Sequence, residues 1–213
     1  MVFKHQFSII FLLFVLLLSA CSENKKQYWD NGKLQSELNY KNGKLNGTSS
    51  WYYENGKKEQ EVVYKDDKLD GYLNRWYPDG TLESRIFYKD GKKEGTALTF
   101  DEEGNKASEE TYHNDTLDGI FNQWFSNGQL KIHGQYNKGY YTGQWVYHNV
   151  YGEVIGVGNY ENGTGTQKAW YPNGVLQREI SYVKNVKNGA EKWYNTEGEL
   201  EKVLYYSDGV VVE

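Results

Sequence analysis

Thr81-Leu82-Glu83-Ser84-Arg85-Ile86-Phe87-Tyr88, then Lys89-Asp90-Gly91-Lys92, then Thr96-Ala97-Leu98-Thr99-Phe100 closing on Asp101-Glu102-Glu103-Gly104, is the stretch that decides the fold. Its first run sets Leu82, Ile86 and Tyr88 on even steps with Glu83 and Arg85 between them, the period-2 alternation of a half-buried strand. Asp90-Gly91 follows, and Asp-Gly between two such runs marks a hairpin, because a type I′ turn needs positive φ at both central residues. The return run is rich in strand formers. One unit is therefore two antiparallel strands.

The unit recurs along the chain. Gly32, Gly56, Gly80, Gly104, Gly128 and Gly152 follow one another at 24-residue steps, with Gly174 22 later and Gly198 another 24 on. A tyrosine stands eight residues after each, from Tyr40 and Tyr64 through Tyr182 and Tyr206. A second glycine comes seven further on, as at Gly47, Gly71, Gly95 and Gly119, except that Gly165 arrives two residues early. That early arrival places the two missing residues in the turn Glu161-Asn162-Gly163-Thr164. An aromatic sits about five residues past the second glycine, as in Tyr52, Trp76, Phe100, Trp124, Trp170 and Tyr194. Both prolines, Pro78 and Pro172, fall in closing turns at corresponding places.

Such a period signals a repeat array, in which each unit packs on its neighbours only. The expectation is an all-β, elongated single-sheet meander of stacked antiparallel hairpins, with about seven copies over residues 28–213. About 15 strands would span on the order of 70 Å. The position six after the unit glycine is apolar at Leu38, Val62, Ile86, Ile180 and Leu204 but is Glu110, Gly134 and Gly158 in the middle. The apolar face is thus weak at the centre, where aromatics must compensate; 20 Tyr and 7 Trp against one Met suit a thin sheet.

Residues 1–20 are of another kind. Lys4 and His5 precede the apolar run Phe7–Leu18, too short to span a bilayer and of the right length for a signal-peptide core. Leu18-Ser19-Ala20-Cys21 resembles the lipobox of bacterial lipoproteins at all four positions, which implies cleavage before Cys21 and acylation of its thiol and new amino group. Cys21 is the one cysteine, so disulfides play no part. Ser22–Gln27 has no pattern and reads as a tether, making 21–27 the lipidated cysteine and spacer. The implied location is the cell envelope, at the outer membrane in a Gram-negative host.

The formal charge of −5 is spread along strands and turns, with no basic stripe, which argues against a nucleic-acid partner. His113, His133 and His148 fall in different units with no cysteine beside them, so no metal site is expected. Glu37, Glu61, Glu109 and Glu179 share a unit position and form a column on one face, balanced by Lys33, Lys57, Lys92 and Arg178 rather than paired for catalysis. The glycines lie in β-turns and open no helix, so no phosphate loop is present. No enzyme and no cofactor is expected.

The pieces Trp-Tyr-Pro-Asp-Gly at 76–80, Trp-Phe-Ser-Asn-Gly at 124–128 and Trp-Tyr-Pro-Asn-Gly at 170–174 resemble the MORN repeat variant. The linking pieces 64–71 and 88–95 do so too, and the resemblance covers about residues 28–209, departing from pattern at Phe100-Asp101 and Trp145–His148. It implies a meandering sheet, and bacterial proteins similar to this one carry the label of a YwqK-type antitoxin family. Function is expected to be non-catalytic: a membrane-anchored lipoprotein that binds a protein partner or scaffolds an assembly. Trp76, Trp124 and Trp170, at one unit position, are the candidate binding face. The alternatives are an antitoxin or immunity protein, and a glycan-binding module that stacks sugars on those three rings.

Overall fold

A computed structural model of the chain describes Cys21–Val212; the signal peptide expected at 1–20 lies outside the described residues. The described residues hold strands alone, 19 of them. In order they are β1 (Ser22–Tyr28), β2 (Leu34–Lys41), β3 (Lys44–Leu45), β4 (Gly47–Tyr52), β5 (Lys58–Lys65), β6 (Lys68–Trp76), β7 (Leu82–Lys89), β8 (Lys92–Lys93), β9 (Gly95–Phe100) and β10 (Lys106–His113). They continue as β11 (Thr116–Trp124), β12 (Leu130–Asn137), β13 (Tyr140–His148), β14 (Val154–Glu161), β15 (Thr164–Trp170), β16 (Leu176–Val183), β17 (Val186–Tyr194), β18 (Leu200–Ser207) and β19 (Val210–Val211). Each pairs antiparallel with its chain neighbour, except that β3 and β4 both pair with β2 and β8 and β9 both pair with β7, giving one open meander. The count exceeds the expected 15 because β3 and β4, and β8 and β9, are single return strands interrupted at Asn46 and Glu94, and because strands are added at both ends.

The first of these corrects the sequence reading. Ser22–Gln27 is not a tether but most of β1, paired along its length with β2 from Ser22 opposite Lys41 to Gln27 opposite Ser36. Its side chains are all exposed, so no apolar alternation marked it; the pairing rests on backbone hydrogen bonds and on contacts such as Lys26 with Glu37 at 3.2 Å.

Each hairpin turns through two residues with positive φ, as at Asp90 (50°) and Gly91 (86°). Where the second residue is not glycine, its side chain offsets the strain. Asp67 and Asp115 (φ 69° and 67°) accept the N–H of Leu45 and Lys93 in the preceding unit, both at 2.7 Å. The second glycine of each unit has a different task. Between β5 and β6, Val62 faces Leu73 and Tyr64 faces Leu69, so β6 spends two extra residues there. This bulge recurs between β10 and β11, β12 and β13, and β16 and β17. Its glycine has positive φ, 144° at Gly71 and 128° at Gly119, and lies opposite the tyrosine of the next strand. The bulge also explains the 22-residue unit. β14 and β15 pair without a register shift, and Gly165 has no positive φ, so the two missing residues are the bulge, not part of the turn 161–164, which is intact.

One face carries the buried side chains, Ser50 excepted. Reading across it, Ser49, Val62, Leu73 and Ile86 stand in register, then Ala97, Glu110, Phe121 and Gly134. Past Trp145 the row continues with Gly158, Gln167, Ile180 and Glu191. Val62, Ala97, Trp145, Tyr160 and Ile180 are the buried apolar members of this face. In the middle of the row aromatics take over, as the sequence requires. A Cβ on Gly134 would fall within the Trp145 indole, and one on Gly158 within the Tyr160 ring: the glycines are bare because aromatics occupy their space. Trp145 meets Tyr141, Tyr136 and Phe121 at 4.6, 5.1 and 5.4 Å between ring centroids, a cluster that takes the place of the missing aliphatic side chains.

Candidate functional site

The opposite face bears the polar groups. Glu37, Ser50, Glu61, Asn74 and Arg85 stand in one register row, continued by Leu98, Glu109 and Asn122, and farther on by Lys168, Glu179 and Lys192. The four glutamates of the expected column do share this row. Their cations are not the expected ones. Glu37 pairs with Lys26, Glu61 with Lys58, Glu109 with Lys106 at 3.4 Å and Glu179 with Lys168 at 3.4 Å. Lys33 and Lys57 instead donate to the turn carbonyls of Asn55 and Asp79 one unit on. Arg178 belongs to the other face, where its Nε lies 2.8 Å from Glu191. The row is a chain of neutralised carboxylates, each matched to a neighbour within reach.

Beside it runs the aromatic ladder. A one-residue bulge follows each closing turn, so that Trp76 faces Leu82, Trp124 faces Leu130 and Trp170 faces Leu176. Tyr52 faces Lys58, Phe100 faces Lys106 and His148 faces Val154 by the same device. Lys58 and Lys106 reach the glutamates of the polar row, which puts the ladder on that face. Their ammonium groups also stand over the indoles of Trp76 and Trp124, 5.4 and 5.0 Å from the ring centroids. The two lysines that break the apolar pattern at the second position after the unit glycine are therefore part of the ladder: the stem covers the ring, the charge meets both π-face and carboxylate. All three tryptophans are half-buried.

The ladder is fastened from unit to unit. Tyr53 donates its hydroxyl to the carbonyl of Trp76 at 2.7 Å, Tyr77 to Phe100 at 2.9 Å and Tyr171 to Tyr194 at 2.9 Å, while Trp29 donates its indole N–H to Tyr52 at 3.0 Å. Each bond spans 23 residues and fixes one aromatic relative to the next. Asn31, Asn55 and Asn127 add side-chain bonds of the same span to Glu54, Pro78 and Val150. These donors were legible only as turn formers; their second role needs the 24-residue register to bring adjacent turns side by side.

The three histidines of the described residues have local neighbours. His113 bonds Glu94 at 3.0 Å, His133 bonds Asn122 at 2.7 Å, and His148 is a ladder member. Among the described residues, no three His, Cys, Asp or Glu converge as metal ligands would. The sequence reading missed Glu191, buried to 1 % exposure and held by Lys187 at 2.7 Å and Arg178 at 2.8 Å. Its spacing from Lys187, four residues along one strand, puts both side chains on one face and was the available signal. The tyrosines of the buried face hold their protons tightly. Burial, then the neighbouring Tyr141 and Tyr182, pushes Tyr147 up to about 12, and burial raises Tyr136 and Tyr160 as well. Neutral phenols in that cluster serve packing. Cys21 is exposed, next to β1.

Against known proteins, six copies of the unit match the MORN repeat variant family, at residues 24–42, 45–66, 69–90, 93–114, 117–138 and 163–184. The stretch between the last two copies contains Trp145, Gly158 and Tyr160, where aromatic rings lie over bare glycines. No curated protein matches the chain.

Proposed function

Since the chain belongs to the MORN repeat variant family, we propose that it is a non-catalytic scaffold, held at the bacterial cell envelope by lipid on Cys21, whose ladder face binds a protein partner. The observation that carries the binding role is the condition of the tryptophans. Lys58 and Lys106 stand over the indoles of Trp76 and Trp124, where a stacked sugar would have to lie. Alternate-unit tryptophans are four strand spacings apart, about 20 Å, too far for adjacent sugars and on the scale of a protein footprint. Aromatics set among charges that are already paired favour a protein surface. A toxin as that partner is the narrower case that the YwqK-type resemblance favours.

Anchoring draws its support from Leu18-Ser19-Ala20-Cys21 and from the place of the thiol. The carbonyl of Cys21 accepts the N–H of Asn42 at 3.0 Å, and β1 begins at the next residue. Acyl chains on Cys21 would hold the first edge of the sheet close to the bilayer, with no spacer between.

Capture from detergent extracts of envelope tests the binding role, with full-length wild type and Trp124→Ala run beside an oligosaccharide array. The expected result is a discrete protein retained by wild type, weakened by Trp124→Ala, with no oligosaccharide bound. Tight oligosaccharide binding that Trp124→Ala abolishes in a folded protein would replace the protein partner by a glycan. Fatty-acid labelling tests the anchor: Cys21→Ala is expected to leave an unlabelled precursor about 2 kDa heavier. A mature N-terminus other than Cys21 would refute it.

A further inference from the structure

The geometry points to a second level of repetition and to a site where it is left incomplete: the groove beside Trp170 takes a lysine side chain from an extended segment of the partner protein. This rests on the protein-binding reading above and adds a place and a residue class to it. Alternate units repeat with period 48, so that Lys58, Glu61 and Trp76 recur as Lys106, Glu109 and Trp124, then as Val154, Val157 and, after the shortened unit, Trp170. In the first two copies the chain fills its own slot, with lysine over the indole and bound to the glutamate. In the third, Val154 holds the register position of the lysine, opposite His148 as Lys58 is opposite Tyr52 and Lys106 opposite Phe100.

What that substitution leaves is a groove of about 380 Å³, lined by Trp170, Tyr171, Val154 and Ile155 with Glu153 and Asn149 as polar groups. Its apolar walls are open to solvent, Val154 at 53 % and Ile155 at 42 % exposure. The adjoining turn differs from its counterparts in the same sense. Pro78-Asp79, Glu102-Glu103 and Ser126-Asn127 are replaced by Val150-Tyr151, and Tyr151 is 81 % exposed. Exposed aliphatic and aromatic groups at one turn of an otherwise polar edge mark an interaction site.

The two filled copies say what belongs in the third. A lysine stem would cover Val154 and Ile155, and its ammonium would stand over Trp170. The carboxylate lost at Val157 has a substitute in Glu153, which lines the groove and accepts the side-chain N–H of Asn149 on one oxygen at 2.8 Å. A net charge of −5 favours the approach of a basic segment. A glutamate-bearing segment would meet Glu153, and a purely aliphatic one would leave ring face and carboxylate unused.

Val154→Lys gives the test, since it would supply the chain's own lysine, in a position where Lys58 and Lys106 are already accommodated. Full-length wild type and Val154→Lys in detergent are titrated with an extended peptide alternating lysine and threonine, and with the same peptide carrying norleucine for lysine. Binding is read from the Trp170 indole N–H resonance, with circular dichroism confirming that both proteins fold. The expected result is that the lysine peptide shifts Trp170 in wild type and binds Val154→Lys about tenfold more weakly, with the norleucine peptide weakened to a similar degree. Equal binding to Val154→Lys, equal binding of the norleucine peptide, or an unmoved Trp170 would each overturn the site. The scaffold reading fails separately: if Val154→Lys still captures the envelope protein that wild type captures, the groove is wrong and the scaffold stands, whereas capture by neither removes the scaffold.

Discussion

Gly91 and Gly134 are both indispensable glycines, and for unlike reasons. Gly91 sits at φ 86° with nothing within 4 Å of where a Cβ would be, so its cost of substitution is backbone strain alone. Gly134 has no positive φ and lacks space, because the Trp145 ring occupies it. Gly91→Val is expected to destabilise by about 1–3 kcal/mol, and Gly134→Ala by about 1–3 kcal/mol through overpacking. Only the second should couple to its neighbour: in urea titrations, Trp145→Leu should relieve part of the Gly134→Ala cost and none of the Gly91→Val cost. Additivity at both sites would mean that the indole does not lie over Gly134. The sequence predicted Gly91 from its turn, because Asp-Gly has a local mechanism. At Gly134 and Gly158 it called for compensating aromatics without saying which, because the ring above Gly134 comes from another strand and local alternation carries no trace of it.

At the scale of the element, the hairpins were legible and their fastenings were not. Alternation, Asp-Gly turns and the 24-residue step fixed the strands. The bulge two residues long, the strand hidden in Ser22–Gln27 and the unit-to-unit bonds all depend on cross-strand register, which alternation leaves open. Those bonds can be tested singly. Tyr77→Phe removes the hydroxyl given to Phe100 and is expected to cost about 0.5–1.5 kcal/mol. Phe125 stands where Tyr53, Tyr77 and Tyr171 stand in other units, so Phe125→Tyr should supply the absent clasp and raise the urea midpoint. A Phe125→Tyr variant no more stable than wild type would deny the periodic role of this position. The central aromatic cluster has its own signature. Because folding raises the Tyr136, Tyr147 and Tyr160 pKa values above the ordinary 10.0, their contribution is full below pH 10 and is lost as pH rises through the folded values, about 12 for Tyr147. Alkaline titration followed by tyrosinate absorbance and circular dichroism should show ionisation of these phenols coinciding with loss of sheet signal above pH 10. Ionisation at pH 10 with the sheet intact would place them at the surface.

At the scale of the whole molecule, the described residues form one sheet with two unlike faces: one packs aromatics over glycines, the other presents paired charges beside a ladder. Fold class and repeat length came directly from the period. The direction of each face did not, since a bulge after every closing turn sets Leu82, Leu130 and Leu176 against the tryptophans of the ladder. That division of labour is the centre of the functional reading, and Arg85 and Arg75 give access to it. They are exposed on neighbouring strands, Arg85 in the glutamate row opposite Asn74 and Leu98, Arg75 on the buried-side face opposite Gln60 and Ser84. A photoreactive amino acid placed at either position in the full-length chain, and irradiated in the native envelope, would report which face meets a partner. A discrete protein adduct from position 85 and none from position 75 is the expected result. An adduct from position 75 alone, equal adducts from both, or none from either would contradict a scaffold that binds through its ladder face.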